Sequence, residues 1–235
     1  MHIQAFWTVP AGAHYVPRVK MSLTGGDDMS NVLVLNTSPS TSASVSRDLV
    51  GKIVDGFDAL DRYKINQRDI GAAPPPHLDE ATIGAFFTPP DVASDDQKAA
   101  MALSDELIDE FLDSDIIVVG LPMHNLGITS SLKTYVDHIV RVGKTFVYTE
   151  QGAQGLVPAG KKMIVVTSRG GIYSEGPMQP YDMQVNYVRA IFGFIGVTDI
   201  EFIHCEGVTI SDDLREMGIA KALSDIENLI GAHAA

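Results

Sequence analysis

Three uninterrupted apolar runs constrain the fold of this chain more than any other feature. They occupy residues 32–35 (VLVL), 116–119 (IIVV) and 163–166 (MIVV). A strand buried on both faces of a parallel sheet has this pattern, whereas a strand with one face in water alternates apolar and polar residues. Because a segment with the apolar spacing of a helix follows each run, the chain is predicted to be a doubly wound α/β domain with right-handed crossovers.

Two further strands complete a predicted five-stranded parallel sheet. Residues 63–68 alternate polar and apolar side chains, which indicates an edge strand, and the fifth strand is predicted at residues 199–205. Helices are predicted at residues 46–57, 97–112, 130–142 and 179–193, and from the cap residue Ser211 to residue 230. Five strands fit the flavodoxin-like order 2-1-3-4-5, in which ligands bind at the carboxyl ends of the strands.

Two segments do not follow this pattern. Residues 71–91 contain five prolines and are predicted to form a long irregular loop, of the kind that is functional or disordered in compact domains. Residues 1–29 show neither the apolar pattern of a strand nor the apolar spacing of a helix. We expect them to be a disordered extension or the product of an upstream start codon, with a short functional arm as the alternative. The predicted domain therefore covers residues 30–235.

Charge and cysteine content argue against several classes of protein. Seventeen Lys and Arg against 30 Asp and Glu give a net charge of −13, which disfavours a nucleic-acid-binding surface. With a single cysteine, Cys205, the chain forms no internal disulfide and no cysteine metal cluster, and the reducing cytoplasm is the simplest location. We expect no membrane span, because no run of about eighteen apolar residues is present.

The loop after the first apolar run is rich in hydroxyl groups and leads directly into a helix. Ser38, Ser44 and Ser46 could complete a phosphate cradle at the helix N-terminus, where unpaired N–H groups and the helix dipole attract anions. No lysine is present in residues 36–46, which suits a bound monophosphate better than a triphosphate. The alternative is a solvated Ser/Thr loop with an ordinary N-cap.

The loop after the third predicted strand, residues 120–127 (GLPMHNLG), lies where a flat ring would rest against backbone. Asn125 can hydrogen-bond the edge of a heterocycle. We interpret the imidazole of His124 as a surface group and expect the backbone to make the contacts.

The loop after the fourth predicted strand, residues 167–171 (TSRGG), contains two adjacent glycines. Gly170 and Gly171 allow the backbone to approach a ligand, and their N–H groups could support negative charge on a ring. A simple turn is the alternative interpretation of this pair.

Other motifs are incomplete. Residues 143–145 (GKT) resemble the end of a Walker A loop, but His138 stands where its first glycine is required. No Gly-x-Gly-x-x-Gly follows the first strand, and no Gly-x-Ser-x-Gly elbow is present, which disfavours a classical dinucleotide fold and a serine hydrolase. His204 and Cys205 are interpreted as a core or rim pair, and no metal site is predicted.

Six groups of residues occur in the order found in one known family. They are VLVL at 32–35 with Ser38 and SVS at 44–46, ALSDELI at 102–108, PMHN at 122–125, TFVYTE at 145–150, SRGGI at 168–172 and GFIG at 193–196. Over residues 31–232 the chain resembles the FMN-dependent NADH-azoreductases, which are also NADH:quinone oxidoreductases. The resemblance implies a homodimer that binds FMN non-covalently, with the ring near the subunit interface.

The same resemblance implies a set of site residues. It implies phosphate contacts from Ser38, Ser44, Val45 and Ser46. It implies ring contacts from Met123, His124, Asn125, Leu126, Ser168, Arg169, Gly170 and Gly171. Tyr148 corresponds to an aromatic residue that shapes the substrate pocket. The chain departs from the family at His124, where tyrosine is common, and at Leu126, where phenylalanine is common, so the resemblance does not define its substrate range.

The reaction implied by the resemblance is a ping-pong transfer. NADH reduces FMN, the oxidised nucleotide leaves, and a quinone or an azo compound takes two electrons. No catalytic side chain is expected, because water can supply the protons. Residues 72–96 contain no Lys or Arg for the 2′-phosphate of NADPH, which favours NADH. A flavodoxin-type electron carrier and a flavin-free regulatory protein are the alternatives. The loop at 71–91 argues against a carrier, which needs an exposed flavin edge.

Overall fold

The computed structural model describes residues 29–89 and 91–234. Its strands are β1 (Ser30–Asn36), β2 (Tyr63–Asp69), β3 (Ile116–Pro122), β4 (Phe146–Thr149), β5 (Gly152–Gly155), β6 (Lys162–Ser168) and β7 (Asp199–Cys205). Its α-helices are α1 (Val45–Asp58), α2 (Glu80–Phe86), α3 (Asp95–Asp113), α4 (Ser130–Ile139), α5 (Met183–Ile195) and α6 (Asp212–Ala234). The extension predicted at residues 1–29 lies, except for Met29, outside the described residues.

Five strands form one parallel sheet in the order β2-β1-β3-β6-β7. This confirms the predicted flavodoxin-like order, with β6 and β7 as the fourth and fifth strands. The alternating strand β2 lies at an edge of the sheet, as its pattern predicts.

Helices cover the sheet on both sides, so each central strand buries both of its faces. On β1, Val32 and Val34 pack in the core formed with α1 and α6, whereas Leu33 and Leu35 pack in the core formed with α3, α4 and α5. All four side chains are at most 1% exposed. This two-sided burial accounts for the uninterrupted apolar runs. In the described parts of the chain, every helix is too short or too polar to cross a membrane.

The prediction that residues 71–91 form an irregular loop is wrong in part, because α2 lies within this segment. The carboxylate of Asp79 accepts the N–H of Thr82 at 2.8 Å and caps the helix. Ala85 packs against Met101 of α3 in a small core of its own. Since α2 buries Ala85 alone among its seven residues, it has too short an apolar stripe to be recognised by periodicity.

Two other elements also differ from the predictions. β4 and β5 form an antiparallel hairpin that was not predicted, and Gly152 takes the positive φ of +112° beside its tight turn. A 3₁₀ helix covers Gly176–Tyr181, so α5 begins later than residue 179. Pro180 interrupts a continuous helix there, and Asp182 caps α5 by accepting two N–H groups of its first turn.

Candidate functional site

Three neighbouring strands end at the edge of the sheet where the sequence predicts a ligand site. β3 lies between β1 and β6, and the register pairs Asn36 with Gly120 and Pro122 with Ser168. The loops at residues 37–44, 123–129 and 169–175 therefore leave the sheet side by side. We refer to these three loops together as the carboxyl edge.

The first of these loops ends at a helix whose N-terminus has no side-chain cap. Ser44 occupies the N-cap position of α1, yet its hydroxyl lies 3.2 Å from the hydroxyl of Ser46 and accepts no backbone N–H. The N–H groups of Val45, Ser46 and Arg47 find no acceptor among the described residues. Unpaired donors at the positive end of a helix dipole form an anion site.

The other five α-helices of the described residues do have side-chain caps. The capping residues are Asp79 for α2, Ser94 for α3, Thr129 for α4, Asp182 for α5 and Ser211 for α6. The prediction that Ser211 caps the last helix is therefore confirmed. The open N-terminus is thus a property of α1, and it lies where the sequence predicts a phosphate cradle.

Arg47 holds this first loop in shape. Its guanidinium donates to both carboxylate oxygens of Asp69 at 2.6 and 2.7 Å, and to the carbonyl of Ser38 at 2.6 Å. The hydrogen bonds from Arg47 keep the pKa of Asp69 below its ordinary value. Gly71 closes the other side, because a Cβ atom there would lie 2.0 Å from the Ser38 carbonyl oxygen. Ser38 is therefore positioned by contacts from two other segments.

A polar atom beneath the loop has no partner. The side-chain oxygen of Asn36, the last residue of β1, is buried and accepts no hydrogen bond among the described residues. It lies close to Gly120, where a Cβ atom would come within 3.3 Å of it. Buried polar atoms are normally satisfied, so this atom marks the base of the first loop as a place that a ligand or a water can complete.

The second loop is a tight turn with unpaired N–H groups. His124 and Gly127 exchange hydrogen bonds of 3.1 and 2.9 Å, while Asn125 and Leu126 both have positive φ angles, +47° and +69°. Two central residues with positive φ define a type I′ turn, which favours Asn and Gly. For leucine this conformation is strained by about 1–2 kcal/mol. The N–H groups of Asn125 and Leu126 donate to no described acceptor.

The turn is joined to its neighbours by backbone hydrogen bonds. The carbonyl of Leu126 accepts the N–H of Met183 at 3.1 Å, and Met123 donates to the carbonyl of Ser168 at 2.9 Å. His124 itself is exposed. This exposure agrees with the interpretation of His124 as a surface residue, whereas contact of its backbone with a ligand stays a prediction.

The third loop also presents unpaired N–H groups. The carbonyls of Gly170 and Gly171 accept the N–H groups of Thr209 and Gly207 at 3.2 and 3.0 Å, whereas their own N–H groups have no described acceptor. A Cβ atom on Gly170 would lie 2.7 Å from the Thr209 hydroxyl oxygen. Unpaired N–H groups thus lie on the second and third loops and on the first turn of α1, which follows the first loop.

Arg169 makes several contacts within the protein, although its Nη2 has no hydrogen-bond partner among the described residues. Its N–H donates to the carbonyl of Cys205 at 2.9 Å, and its fully buried guanidinium pairs with Asp182 and Glu206, each at 3.1 Å. Its Nε donates to Gln184 at 3.0 Å. Contact between Arg169 and a ring stays a prediction, and the structure shows this residue supporting the loop.

His204 is uncharged beside this cluster. Burial lowers its pKa to about 4, and the charge of Arg169 acts in the same direction. Its Nδ1 lies 2.8 Å from the hydroxyl of Thr167. Within residues 29–89 and 91–234 no group of His, Cys, Asp and Glu is arranged to hold a metal ion.

Tyr148 is the predicted site residue that the chain does not bring to the carboxyl edge. It lies on the β4–β5 hairpin, where its ring meets Phe146, and that ring in turn packs on Phe194 of α5. The hairpin contacts the C-terminal end of α5 at Ile195, whereas Met183 at the other end contacts the second loop. The thirteen residues of α5 span about 20 Å at 1.5 Å per residue. Tyr148 is 51% exposed.

Arg47, Asp69 and Glu206 were not predicted as site residues from the sequence. Arg47 carried a signal, since a basic residue in the first turn of a helix faces the positive end of the dipole and needs a local reason to be there. Asp69 and Glu206 carried none, because their partners lie 22 residues and more than 30 residues away in sequence.

Comparison with known proteins places the chain among related sequences. A family model described as Flavodoxin-like fold matches residues 30–230. The FMN-dependent NADH:quinone oxidoreductase 2 of Trichormus variabilis is 44% identical over 204 residues, which cover 86% of this chain and 99% of the relative. The FMN-dependent NADH:quinone oxidoreductase of Herminiimonas arsenicoxydans is 41% identical over 87% of this chain and all of its own length.

Solved structures agree with these relatives. An FMN-dependent NADH-azoreductase from Bacillus anthracis, crystallised in complex with FMN, superposes with a TM-score of 0.80 at 25% identity, over 88% of this chain and all of its own. An azoreductase from the Sterne strain of the same organism has a TM-score of 0.78 at 29% identity, over 86% of this chain and 99% of its own.

Proposed function

The chain belongs to the family of FMN-dependent NADH:quinone oxidoreductases with a flavodoxin-like fold, and on that premise we propose that it reduces quinones, and as further substrates aromatic azo compounds, with NADH through bound FMN. The observation that carries the proposal is the uncapped N-terminus of α1, which lies beside two other loops with unpaired N–H groups. When bound, FMN would supply the chemistry by accepting a hydride from NADH and passing two electrons to the acceptor in a ping-pong order.

The first loop would hold the phosphate of FMN. The free N–H groups of Val45 and Ser46 and the hydroxyls of Ser38 and Ser44 are the donors that a phosphate dianion needs. Arg47, the basic residue of the first turn, pairs with Asp69 and donates to the Ser38 carbonyl, so the phosphate would be held mainly by N–H and hydroxyl donors. The residues present therefore fit a permanently bound monophosphate.

The second and third loops would hold the ring. The unpaired N–H groups of Asn125, Leu126, Gly170 and Gly171 could donate to the polar edge of a flavin, and Met123 and Leu126 could cover its apolar part. Such fixed backbone donors stabilise negative charge on a ring without reorganisation. No general acid or base is assigned, in keeping with the neutral state of His204.

The substrate pocket would require a second copy of the chain. Tyr148 lies at the far end of α5 from the carboxyl edge and is half exposed beside the partly exposed Phe194. In a homodimer the hairpin of one protomer could reach the carboxyl edge of its partner. We therefore propose a dimer in which Tyr148 shapes the partner's pocket.

Steady-state kinetics with the FMN-loaded protein test the proposed reaction. We expect rapid NADH oxidation with benzoquinone and slower oxidation of NADPH. Double-reciprocal plots of initial rate against NADH concentration, at several fixed acceptor concentrations, should give parallel lines. Intersecting lines would contradict the ping-pong order. Reduction of bound FMN without turnover would indicate an electron carrier, and a purified protein that takes up no FMN would overturn the proposal. Light scattering should give twice the mass of one chain.

A further inference from the structure

Glu206 connects β7 to the loop that follows β6. One of its carboxylate oxygens accepts the N–H groups of Tyr173 and Ser174 at 2.7 and 3.0 Å, and the other accepts the hydroxyl of Ser174. The side chain is only 13% exposed. These hydrogen bonds keep the pKa of Glu206 below its ordinary value against the opposing effect of burial. The third loop is therefore folded around a carboxylate from the segment that follows β7.

The same carboxylate faces a buried cation. Arg169 lies between Glu206 and Asp182, and both carboxylates are 3.1 Å from its guanidinium. One positive and two negative charges leave a surplus of one negative charge in a largely water-excluded cluster. Such a charge is screened less than a surface charge.

The contacts of Glu206 bracket the two glycines of the loop. Arg169 precedes Gly170 and Gly171, while Tyr173 and Ser174 follow them. The carbonyls of both glycines are bonded to the segment after Glu206, so the strip of backbone is fixed on that side. Its N–H groups are left free. A loop held at both ends and along its carbonyls cannot rotate these donors without breaking contacts to Glu206 or to its neighbours.

We propose that Glu206 is a positioning residue, which holds the N–H groups of Gly170 and Gly171 toward the ring of a bound flavin and contributes the surplus negative charge near it. This inference rests on the proposed function. Glu206 acts only on the loop that would hold the ring and does not contact the phosphate. Its loss should weaken the binding of any flavin ring equally, whether or not the ligand carries a phosphate.

Two substitutions separate the geometric part from the charge. Glu206→Gln keeps an acceptor for the two N–H groups and can still pair with the Ser174 hydroxyl, but it removes the charge. Glu206→Ala removes both. The control is Glu201→Gln on β7, the strand that precedes Glu206. It removes a carboxylate that is paired with Lys162 at 2.8 Å and is 42% exposed.

The measurements are the dissociation constants of the apoprotein for FMN and for riboflavin, and the midpoint potential of bound FMN. For Glu206→Ala we expect both dissociation constants to rise about tenfold, as for the loss of a hydrogen bond to a charged group. For Glu206→Gln we expect a rise below about threefold. In both variants the potential should become more positive, since a nearby negative charge opposes the addition of electrons. Glu201→Gln should match the unaltered protein in all three measurements.

The outcomes are distinguishable. Unaltered protein that binds no FMN contradicts the proposed function itself. If the unaltered protein binds FMN and the Glu206 variants have the same dissociation constants and midpoint potential as the unaltered protein, the inference is wrong while the function stands. A loss of FMN affinity without loss of riboflavin affinity also overturns it. If Glu206→Ala does not fold, Glu206→Gln decides, because its potential must still differ from that of Glu201→Gln.

Discussion

Two helices, α1 and α4, begin at the carboxyl edge, each with two hydroxyl side chains two residues apart. Only α4 has a side-chain N-cap. At the start of α1, the hydroxyls of Ser44 and Ser46 are 3.2 Å apart, and at the start of α4 those of Thr129 and Ser131 are 3.1 Å apart. In α4 the hydroxyl of Thr129 also accepts the N–H of Leu132 at 3.2 Å. In α1 no such bond is made.

The difference teaches that hydroxyl content alone does not decide whether a helix N-terminus is an anion site. At α4 the second hydroxyl, that of Ser131, donates to the carbonyl of Thr37 at 2.9 Å, so the helix start is joined to the first loop. At α1 the hydroxyl of Ser46 makes no bond to a neighbouring loop of the described residues, and the carbonyl of Ser38 in the first loop accepts from the guanidinium of Arg47 at 2.6 Å. The two helix starts therefore differ in how they are joined to the first loop, and substitutions at the N-cap or in the segments that contact this loop test whether that difference matters for cofactor binding.

Closing α1 should have the largest effect. In Ser44→Asp a carboxylate at the N-cap accepts the free N–H groups of the first turn and repels a phosphate. We expect the dissociation constant for FMN to rise at least about hundredfold and the free energy of unfolding of the apoprotein to increase by about 1 kcal/mol. Flavin titration and urea unfolding measure the two changes.

The matched control for this substitution is Ser94→Asp. It adds the same charge at the exposed N-cap of α3, which already has a capping box, so the affinity for FMN should change by less than about twofold. Unchanged FMN affinity in Ser44→Asp would show that the phosphate does not lie at α1. The missing side-chain cap of α1 would then be unrelated to cofactor binding.

Displacing the loop from outside the helix should have an intermediate effect. In Gly71→Ala the new methyl group would lie 2.0 Å from the Ser38 carbonyl oxygen, and such overpacking costs about 1–3 kcal/mol. We expect the dissociation constant for FMN to rise about thirtyfold, together with a lower free energy of unfolding. Both are measured by the same titration and unfolding experiments.

Gly51→Ala is the control for added bulk. A Cβ atom on Gly51 of α1 meets nothing within 4 Å, so the helix should gain about 1 kcal/mol and FMN affinity should stay the same. If Gly71→Ala binds FMN normally, the position of Ser38 is not what keeps the cradle open.

Much of this arrangement was predictable from the sequence, and the reason is local. The buried runs of β1, β3 and β6 determine the sheet, and the loops that follow them must meet at one edge. The short helix α2 and the β4–β5 hairpin were missed because α2 buries only Ala85 and the hairpin residues 152–155 are mostly exposed and polar or small. Glu206 was missed because its partners are distant in sequence, and the uncapped state of Ser44 looks the same in sequence as the capped state of Thr129.

The smallest effects should come from removing one hydroxyl at each helix start. One substitution should lower stability without changing FMN affinity, and the other should lower FMN affinity with little change in stability. Thr129→Ala removes a cap that the free protein uses, so the free energy of unfolding should fall by about 1 kcal/mol with FMN affinity unchanged. Ser44→Ala removes a hydroxyl that caps nothing in the free protein, so the free energy of unfolding should change by less than about 0.5 kcal/mol. Its dissociation constant for FMN should nevertheless rise about fivefold through one lost hydrogen bond. A loss of stability in Ser44→Ala would mean that the hydroxyl caps α1 in solution. Both helices would then have a side-chain N-cap in the free protein.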